Sequence, residues 1–200
     1  MANNPEKVLS KCIENLPFHS RILVVGGGAD NTVLELLKRE KCDKILHVDI
    51  SNVMSILAKE RLNSLPQEQK EKVDFLVSSF MRFSPDRTQS FDAVIFPFYF
   101  DLFEDAEINL NLNWLKKFVS GKTSIYIIDF QNNSTKNVWK RIKEVGLYVL
   151  FQPITKVKRK SFPKLKNLFE KNGFSTQKKE SFFNGFYTFL EFKLNQRESL

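Results

Sequence analysis

The fold of this chain is decided by residues 21–51, RILVVGGGADNTVLELLKREKCDKILHVDIS. Residues 22–25 form a continuous apolar run, which is typical of a parallel strand that is buried on both faces. Three glycines follow, then a segment with the apolar spacing of a helix, then a second apolar run over residues 44–48 that ends at Asp49. The stretch therefore predicts a strand, a tight turn, a helix and a second strand that ends in an acid.

The glycine turn and the acid together indicate a site for a nucleoside. Glycines let the backbone turn sharply and approach a ligand because they carry no Cβ, and a carboxylate at the end of the second strand can accept both hydroxyls of a ribose. A dinucleotide fold requires G-x-G-x-x-G, but Asn31 stands where the third glycine belongs. Asp49 lies 23 residues after Gly26, and this spacing alone does not decide between cofactors. Asn31 argues against a pyrophosphate ligand.

The stretch resembles motif I and the following acidic motif of the class I S-adenosylmethionine-dependent methyltransferases. The segment GGGADN is also similar to the turn of the polyamine synthases, which share that fold. The resemblance implies S-adenosylmethionine, or S-adenosylhomocysteine as product, as the cofactor. The cofactor contacts that it implies are Gly26, Gly27, Gly28, Asp30, Asp49, Ile50, Ser79, Phe80 and Phe96.

Two positions depart from the family pattern. Val24 stands where an acid usually precedes the glycines, so the amino group of the cofactor falls to backbone carbonyls, to Asp30 or to water. Ser78 and Ser79 stand at the end of the third strand, where Gly-Asp is usual. There Ser79 keeps a hydrogen-bonding group for an adenine, and Phe80 offers an apolar wall or a backbone amide.

Strands and helices alternate along the remaining chain, which predicts an α/β fold. We expect a doubly wound, mostly parallel, seven-stranded sheet with helices on both faces, similar to a Rossmann fold. Asn184-Gly185 predicts a C-terminal hairpin that adds an antiparallel strand. Residues 1–200 are interpreted as a single domain, and the methyltransferase resemblance covers about residues 16–194. For the helix over residues 52–64, the side chains expected to face inward are Val53, Met54, Ile56, Leu57 and Leu62.

The end of the fourth strand reads FPFYFD over residues 96–101, where ligands of such sheets bind. Methyltransferases that act on base amines have a polar residue before Pro-Pro-Tyr or Pro-Pro-Phe, and here that residue is Phe96. A polyamine synthase requires several aspartates, and here there is only Asp101. The segment is therefore interpreted as an aromatic wall, with Phe98 and Tyr99 at the acceptor. No catalytic base is assigned, and Asp101 is interpreted either as a candidate for that role or as a helix cap.

A later segment resembles the lid of small methyltransferases that act on lipids, quinones and related hydrophobic acceptors. The positions that carry this match are Trp139, Arg141, Tyr148, Phe151, Phe162 and Pro163. The resemblance implies a helical lid at about residues 134–163, with Trp139, Tyr148 and Phe151 at the acceptor. The alternative is that Trp139 and Tyr148 only pack a helix on the sheet.

Composition narrows the possible partners. Residues 136–180 contain thirteen Lys and Arg and three Glu, which gives a local charge of 13 − 3 = +10. The whole chain has a net charge of +8, so the rest of it is slightly acidic. Such a face suits an anionic membrane surface or an acidic acceptor, and nucleic acid is an alternative partner. The two cysteines have no metal spacing, and we expect no metal and a cytoplasmic location with reduced thiols.

The sequence thus favours a methyltransferase that acts on a small, largely hydrophobic acceptor such as a lipid, quinol or phenol. Two alternatives remain open. One is a non-catalytic binding module that retains the fold, which Val24 and Ser79 would favour. The other is an RNA methyltransferase that uses the basic face of residues 136–180.

Overall fold

The computed structural model describes residues 5–85, 90–131 and 162–195. These residues form one seven-stranded sheet covered by helices. The strands are β1 His19–Val25, β2 Cys42–Asp49, β3 Val73–Val77, β4 Ala93–Pro97, β5 Ser124–Phe130, β6 Phe174–Phe182 and β7 Tyr187–Leu194. The helices are α1 Pro5–Glu14, α2 Thr32–Lys38, α3 Asn52–Arg61, α4 Gln67–Lys70, α5 Asp105–Leu115 and α6 Leu165–Lys171. Short 3-10 turns cover Leu62–Ser64, Phe80–Arg82 and Phe100–Leu102.

The strand order is β3-β2-β1-β4-β5-β7-β6. The first five strands run parallel, whereas β7 is antiparallel to both β5 and β6. The chain turns from β6 to β7 at Asn184 and Gly185, which both adopt positive φ angles of 56° and 80°. The predicted doubly wound sheet with a C-terminal hairpin is thus confirmed. In this order β1 and β4 are neighbours, so the strand order reverses between them and leaves a crevice above their carboxyl ends.

Two apolar cores lie on the two faces of the sheet. Alternate residues of β1 point to opposite faces, so Ile22 and Val24 enter one core and Leu23 and Val25 enter the other. Helices α1 and α2 contribute to the first core, and α5 and α6 contribute to the second. All four β1 residues are buried, because a central parallel strand is covered on both faces.

Helix α3 corrects one expectation about the core. Of the five side chains predicted to face inward, only Met54 and Leu62 are buried. Val53 and Ile56 are 54% and 46% exposed, and Leu57 also reaches solvent. The helix packs instead through a stripe of Met54, Ser55 and Ala58. Small residues on that stripe bring α3 close to the sheet, which turns the branched side chains outward.

The segment expected to form the lid falls almost entirely outside the described residues. This includes the acceptor candidates Trp139, Tyr148 and Phe151. Only Phe162 and Pro163 of the predicted lid belong to the described chain. Phe162 stacks on Phe130 at the end of β5, with ring centroids 5.8 Å apart.

Candidate cofactor site

The turn after β1 consists of three consecutive glycines with left-handed backbone conformations. Their φ angles are 71°, 82° and 53° at Gly26, Gly27 and Gly28. A Cβ on Gly26 would lie 2.8 Å from Cδ2 of Tyr99, and a Cβ on Gly27 would lie 2.6 Å from Cγ of Pro97. Side chains are therefore excluded here both by conformation and by close packing against the end of β4. The turn presents bare backbone at the carboxyl edge of the sheet.

Asp49 lies at the end of β2, directly beside this turn. Its Oδ2 accepts a hydrogen bond of 3.1 Å from the N–H of Gly28, and its Oδ1 accepts one of 2.8 Å from the N–H of Ser51. These bonds hold the carboxylate in one orientation. A carboxylate has about four acceptor positions, so Asp49 retains the capacity to accept two further hydrogen bonds. The glycine turn and Asp49, which the sequence analysis named together as cofactor contacts, are thus in direct contact with each other.

The ends of β2 and β3 present apolar side chains next to Asp49. Ile50 is 52% exposed and Val77 is 46% exposed. They are neighbours, because Asp49 pairs with Val77 in the sheet and the N–H of Ser78 bonds to the carbonyl of Asp49 at 2.9 Å. Ser79 is partly exposed beyond them. This corner offers an apolar surface with a polar margin.

Phe80 and Phe96, which the resemblance placed at the cofactor, lie deeper. Phe96 is fully buried and Phe80 nearly so, and their rings make an edge contact at 5.5 Å. Both side chains belong to the core on the face covered by α5. Their observed contacts support the site from below and do not line its surface.

Asp30 has an unusual environment at the other side of the turn. Its Oδ1 accepts a hydrogen bond of 2.8 Å from the N–H of Thr32 at the start of α2. Its Oδ2 is buried and has no hydrogen-bond partner among the described residues, and it lies 2.8 Å from the position of a Cβ on Gly27. Burial raises the pKa of this carboxyl to about 7, although the bonds from Thr32 and the charge of Arg61 oppose the shift. A buried oxygen without a partner suits a cationic ligand group.

Asn31, the residue that replaces the third glycine of a dinucleotide motif, is held from α3. Its Oδ1 accepts a hydrogen bond of 2.7 Å from Arg61. The side chain makes no capping bond to α2, which Asp30 supports instead.

His47 belongs to the site but was missed by the sequence reasoning. Its Nε2 lies 3.1 Å from the carbonyl oxygen of Gly26, and because a carbonyl only accepts, this nitrogen carries the hydrogen. Burial lowers the pKa of the imidazole, although Asp49 and the bond to Gly26 oppose the shift. A neutral ring therefore supports the glycine turn from beneath. The available signal was a polar residue within the apolar strand KILHVD.

The chain after β4 folds back over the turn. Phe98 adopts a left-handed φ of 48°, and its N–H bonds to the carbonyl of Ile128 at 2.7 Å. Tyr99 follows, and its hydroxyl donates a hydrogen bond of 2.9 Å to Oδ1 of Asn111 on α5. The Tyr99 ring lies against Gly26, and burial raises its pKa, assisted by the negative charge of Asp49. The aromatic segment predicted as an acceptor wall thus reaches the glycine turn through Tyr99.

Asp129 near the end of β5 was also not singled out from the sequence. It is fully buried, and it accepts hydrogen bonds from the N–H groups of Phe130 at 2.7 Å and Phe100 at 3.1 Å. The N–H of Asp101 donates to it as well. Burial raises the pKa of Asp129 to about 7 against these bonds. An acid inside the apolar run SIYIIDF was the available signal.

Within residues 5–85, 90–131 and 162–195, no cluster of His, Cys, Asp and Glu has the arrangement of a metal site. No helix in the same part of the chain has both the length and the apolar character needed to cross a membrane.

Comparison with known proteins finds similarity to methyltransferases in part of the sequence and in the fold. A sequence model of the methyltransferase domain matches residues 23–111. Among solved structures, mitomycin 7-O-methyltransferase superposes with a TM-score of 0.72 at 13% identity, over 94% of this chain and 53% of its own. A SAM-dependent methyltransferase from Aquifex aeolicus superposes with a TM-score of 0.65 at 20% identity, over 96% of this chain and 89% of its own. Magnesium protoporphyrin IX methyltransferase from Synechocystis PCC 6803, which was solved with bound SAH, gives 0.67 at 16% identity over 95% and 83% of the two chains.

The chain has the class I methyltransferase fold. The fold that the resemblance of the glycine turn and Asp49 implied is thereby confirmed. No curated protein matches the chain. It spans about half the length of two solved O-methyltransferases that it resembles.

The two departures from the class I methyltransferase pattern have different structural consequences. Val24 is fully buried in the core, so nothing polar stands at the position of the usual acid. Asp30, on the far side of the turn, is a nearby carboxylate with a buried oxygen that has no hydrogen-bond partner among the described residues. Ser79 uses its carbonyl to begin the next 3-10 turn, accepting from the N–H of Arg82 at 2.9 Å.

Proposed function

We propose that the protein binds S-adenosylmethionine and transfers its methyl group to a small acceptor. The observation that carries the proposal is the contact between Asp49 and the glycine turn, in a domain whose sequence matches the methyltransferase model over residues 23–111. The cofactor would supply the hard chemistry, because its methyl group is already activated on a sulfonium. The protein would then bind and orient the two reactants and exclude water.

The residues present fit this cofactor in three respects. Asp49 is fixed by two backbone N–H groups and retains acceptor positions for the ribose hydroxyls. Ile50 offers exposed apolar surface beside it for the adenine, with Ser79 at the margin. Asp30 has a buried oxygen without a hydrogen-bond partner among the described residues, and the ammonium group of the cofactor's amino acid part would donate to it.

The acceptor, in this proposal, is small and largely apolar. The support is the aromatic wall at the end of β4, where Phe98 packs on Phe130 at 5.3 Å and Tyr99 on Phe103 at 4.9 Å. Such a wall binds ligands by burying their surface, at about 25 cal/mol per Å². Two neighbours are named for organic acceptors, mitomycin and magnesium protoporphyrin IX. Trp139, Tyr148, Phe151 and a lid over residues 134–163 remain part of the proposal, as do the single domain of residues 1–200 and peripheral contact with an anionic membrane.

A specific observation favours a second candidate, a module that binds without catalysis. Val24 is buried where the family usually has an acid, so one anchor of the cofactor is missing. A module of this kind would retain the fold and lose measurable affinity for the cofactor. The RNA alternative rests on the basic face of residues 136–180, most of which lies outside the described chain.

The test is calorimetric titration of the full chain with S-adenosylhomocysteine. We expect the wild type to bind, and Asp49→Asn to bind more than tenfold more weakly, because hydrogen bonds to a charged group contribute about 1.5–3 kcal/mol each. Asp43→Asn is the matched control, since Asp43 is an exposed carboxylate on the same strand. A wild type that binds no S-adenosylhomocysteine, or that prefers a nicotinamide dinucleotide, would overturn the proposal. Tight binding of an RNA oligonucleotide with steep salt dependence would favour the RNA alternative.

A further inference from the structure

The loop of residues 98–103, which connects β4 to α5, is held in place by hydrogen bonds to two neighbouring elements. Phe98 is bonded to Ile128 on β5, and Tyr99 is bonded to Asn111 on α5. Asn111 is itself buried and donates to the carbonyl of Glu107 at 2.8 Å, which fixes its orientation. The loop is thus attached to both the adjacent strand and the following helix.

Asp129 provides the central attachment. Its carboxylate is enclosed by protein and accepts from the N–H groups of Phe100 and Asp101 on the loop and of Phe130 on its own strand. Backbone N–H groups are donors only, so this position requires a side chain with two oxygens that both accept hydrogen bonds. An ionised carboxylate meets the requirement, whereas an amide would turn its NH₂ group toward one set of donors.

Burial of the Asp129 carboxylate costs the folded protein free energy. A buried carboxylate loses its hydration, and the pKa raised to about 7 reflects that loss. The apolar core already anchors the loop, because the Phe100 ring is buried against Phe96 at 4.8 Å and Phe169 at 5.5 Å. Core packing alone would therefore keep the loop attached. The buried Asp129 carboxylate is then needed to fix the exact position of the loop backbone.

We infer that Asp129 is a positioning residue, which holds the loop so that the ring of Tyr99 forms a wall over the glycine turn beside the amino acid half of the cofactor. The geometry that carries the inference is a continuous chain of contacts, from Asp129 to the Phe100 N–H and from the adjacent Tyr99 to Gly26. The inference rests on the proposed function, since it assigns the wall a place beside the bound cofactor.

This role predicts a difference between two halves of one ligand. S-adenosylhomocysteine has the amino acid part, whereas 5′-methylthioadenosine has the same adenosine and a thioether but no amino acid. Asp49 and Ile50, which would hold the adenosine, are the last residue of β2 and the residue after it, and neither depends on Asp129. Displacement of the Tyr99 wall should therefore lower the affinity for S-adenosylhomocysteine and leave the affinity for 5′-methylthioadenosine unchanged.

The experiment compares wild type, Asp129→Asn and Asp129→Leu by titration with both compounds. Leucine has a similar size and no acceptor, so Asp129→Leu should bind S-adenosylhomocysteine at least about tenfold more weakly, which corresponds to about 1.4 kcal/mol. Asp129→Asn keeps one acceptor and should lie between that variant and wild type. For 5′-methylthioadenosine, all three proteins should agree within about threefold, a difference below 1 kcal/mol.

Thr188→Val is the matched control. Thr188 pairs with Asp129 across β5 and β7, is buried, and bonds to the carbonyl of Glu180 rather than to the loop. Its replacement disturbs the same region of the sheet, and both affinities should stay near those of wild type.

The possible outcomes separate the inference from the function it rests on. Wild-type binding with an unchanged Asp129→Leu affinity would overturn the inference and leave the proposed function intact. Equal losses for both ligands would indicate a general structural defect and would also overturn it. If Asp129→Leu does not fold, Asp129→Asn decides by the same comparison. A wild type that binds neither compound would refute the proposed function, and the positioning role with it.

Discussion

The carboxylate of Asp49 accepts a hydrogen bond from the backbone N–H of Gly28 at 3.1 Å. The two residues are 21 positions apart in the sequence, and Asp49 ends β2 whereas Gly28 lies in the turn that follows the adjacent parallel strand β1. The bond joins the two features on which the methyltransferase resemblance rests, the bare turn and the acid. Asp49 therefore helps to hold the glycine turn in its conformation without a ligand.

The first prediction concerns the steric requirement at Gly26. Gly26→Ala places a Cβ 2.8 Å from the Tyr99 ring on a backbone with φ of 71°. Gly173→Ala is the control, because φ there is 81° and nothing lies within 4 Å of the added Cβ. A left-handed conformation costs a non-glycine residue about 1–3 kcal/mol, so both variants lose that amount and Gly26→Ala loses more. Urea unfolding measures the difference, and equal losses would show that Tyr99 does not press on the turn.

The second prediction uses the pH dependence of stability at Asp30. Its folded pKa of about 7 lies above the ordinary value of 3.8, so the folded state holds the proton more tightly than the unfolded chain. The corresponding stability is present below about pH 4 and is lost as the pH rises through 7, because one pKa unit corresponds to about 1.4 kcal/mol.

Asp30→Asn should therefore lose less stability than wild type between pH 5 and pH 8. Urea unfolding at the two pH values measures both losses, and Asp43→Asn, at an exposed position, is the control. Asp129 shifts in the same direction and remains in every variant, so part of the loss persists. A loss in Asp30→Asn as large as that of wild type would show that the carboxyl is not desolvated.

The third prediction concerns the neutral imidazole beneath the turn. The pKa of His47 is lowered from 6.5, so the unfolded chain takes up the proton more readily than the folded protein. Its contribution to stability is present above pH 6.5 and is lost as the pH falls below that value. His47→Phe removes the bond to the Gly26 carbonyl and should cost about 1–3 kcal/mol at pH 8.

His47→Gln is the matched variant, because glutamine can still donate to that carbonyl and does not titrate. It should retain more stability than His47→Phe at pH 8 and lose less than wild type on acidification. His19, whose pKa is also lowered by burial, contributes a similar acid loss to all three proteins. Identical acid profiles for wild type and His47→Gln would contradict the role given to this imidazole.

The fourth prediction tests the inward face of α3. Met54→Ala removes a buried side chain and should destabilise the protein by about 2–5 kcal/mol. Ile56→Gln changes an exposed side chain and should stay within about 0.5 kcal/mol of wild type. Thermal or urea unfolding of the two variants compares them directly. A large loss for Ile56→Gln would mean that this side chain is covered in the folded protein.

Several features were available from the sequence because they depend on local patterns. The apolar run of residues 22–25, the glycines and the alternation of strands and helices predicted the doubly wound sheet, and Asn184-Gly185 predicted the hairpin. Asp49 was found because a parallel strand places its last residue at the ligand edge of the sheet. These inferences needed only periodicity and the short-range geometry of turns.

The sequence was less informative where a side chain depends on its neighbours in space. Val53 and Ile56 have the apolar character of core residues, yet the small residues Ser55 and Ala58 define the face that packs. His47 and Asp129 are ordinary polar residues in apolar strands until the fold brings Gly26 and Phe100 within hydrogen-bonding distance.

The sequence by itself determined the class of fold, the turn and its acid, because hydrophobic period and backbone freedom are local properties. Only the tertiary structure decided which buried polar groups support that turn. A hydrogen bond between distant residues depends on the approach of separate strands, as from Asp129 to the loop that carries Tyr99. Burial, which sets the pKa values of Asp30 and Asp129, likewise exists only in the packed protein.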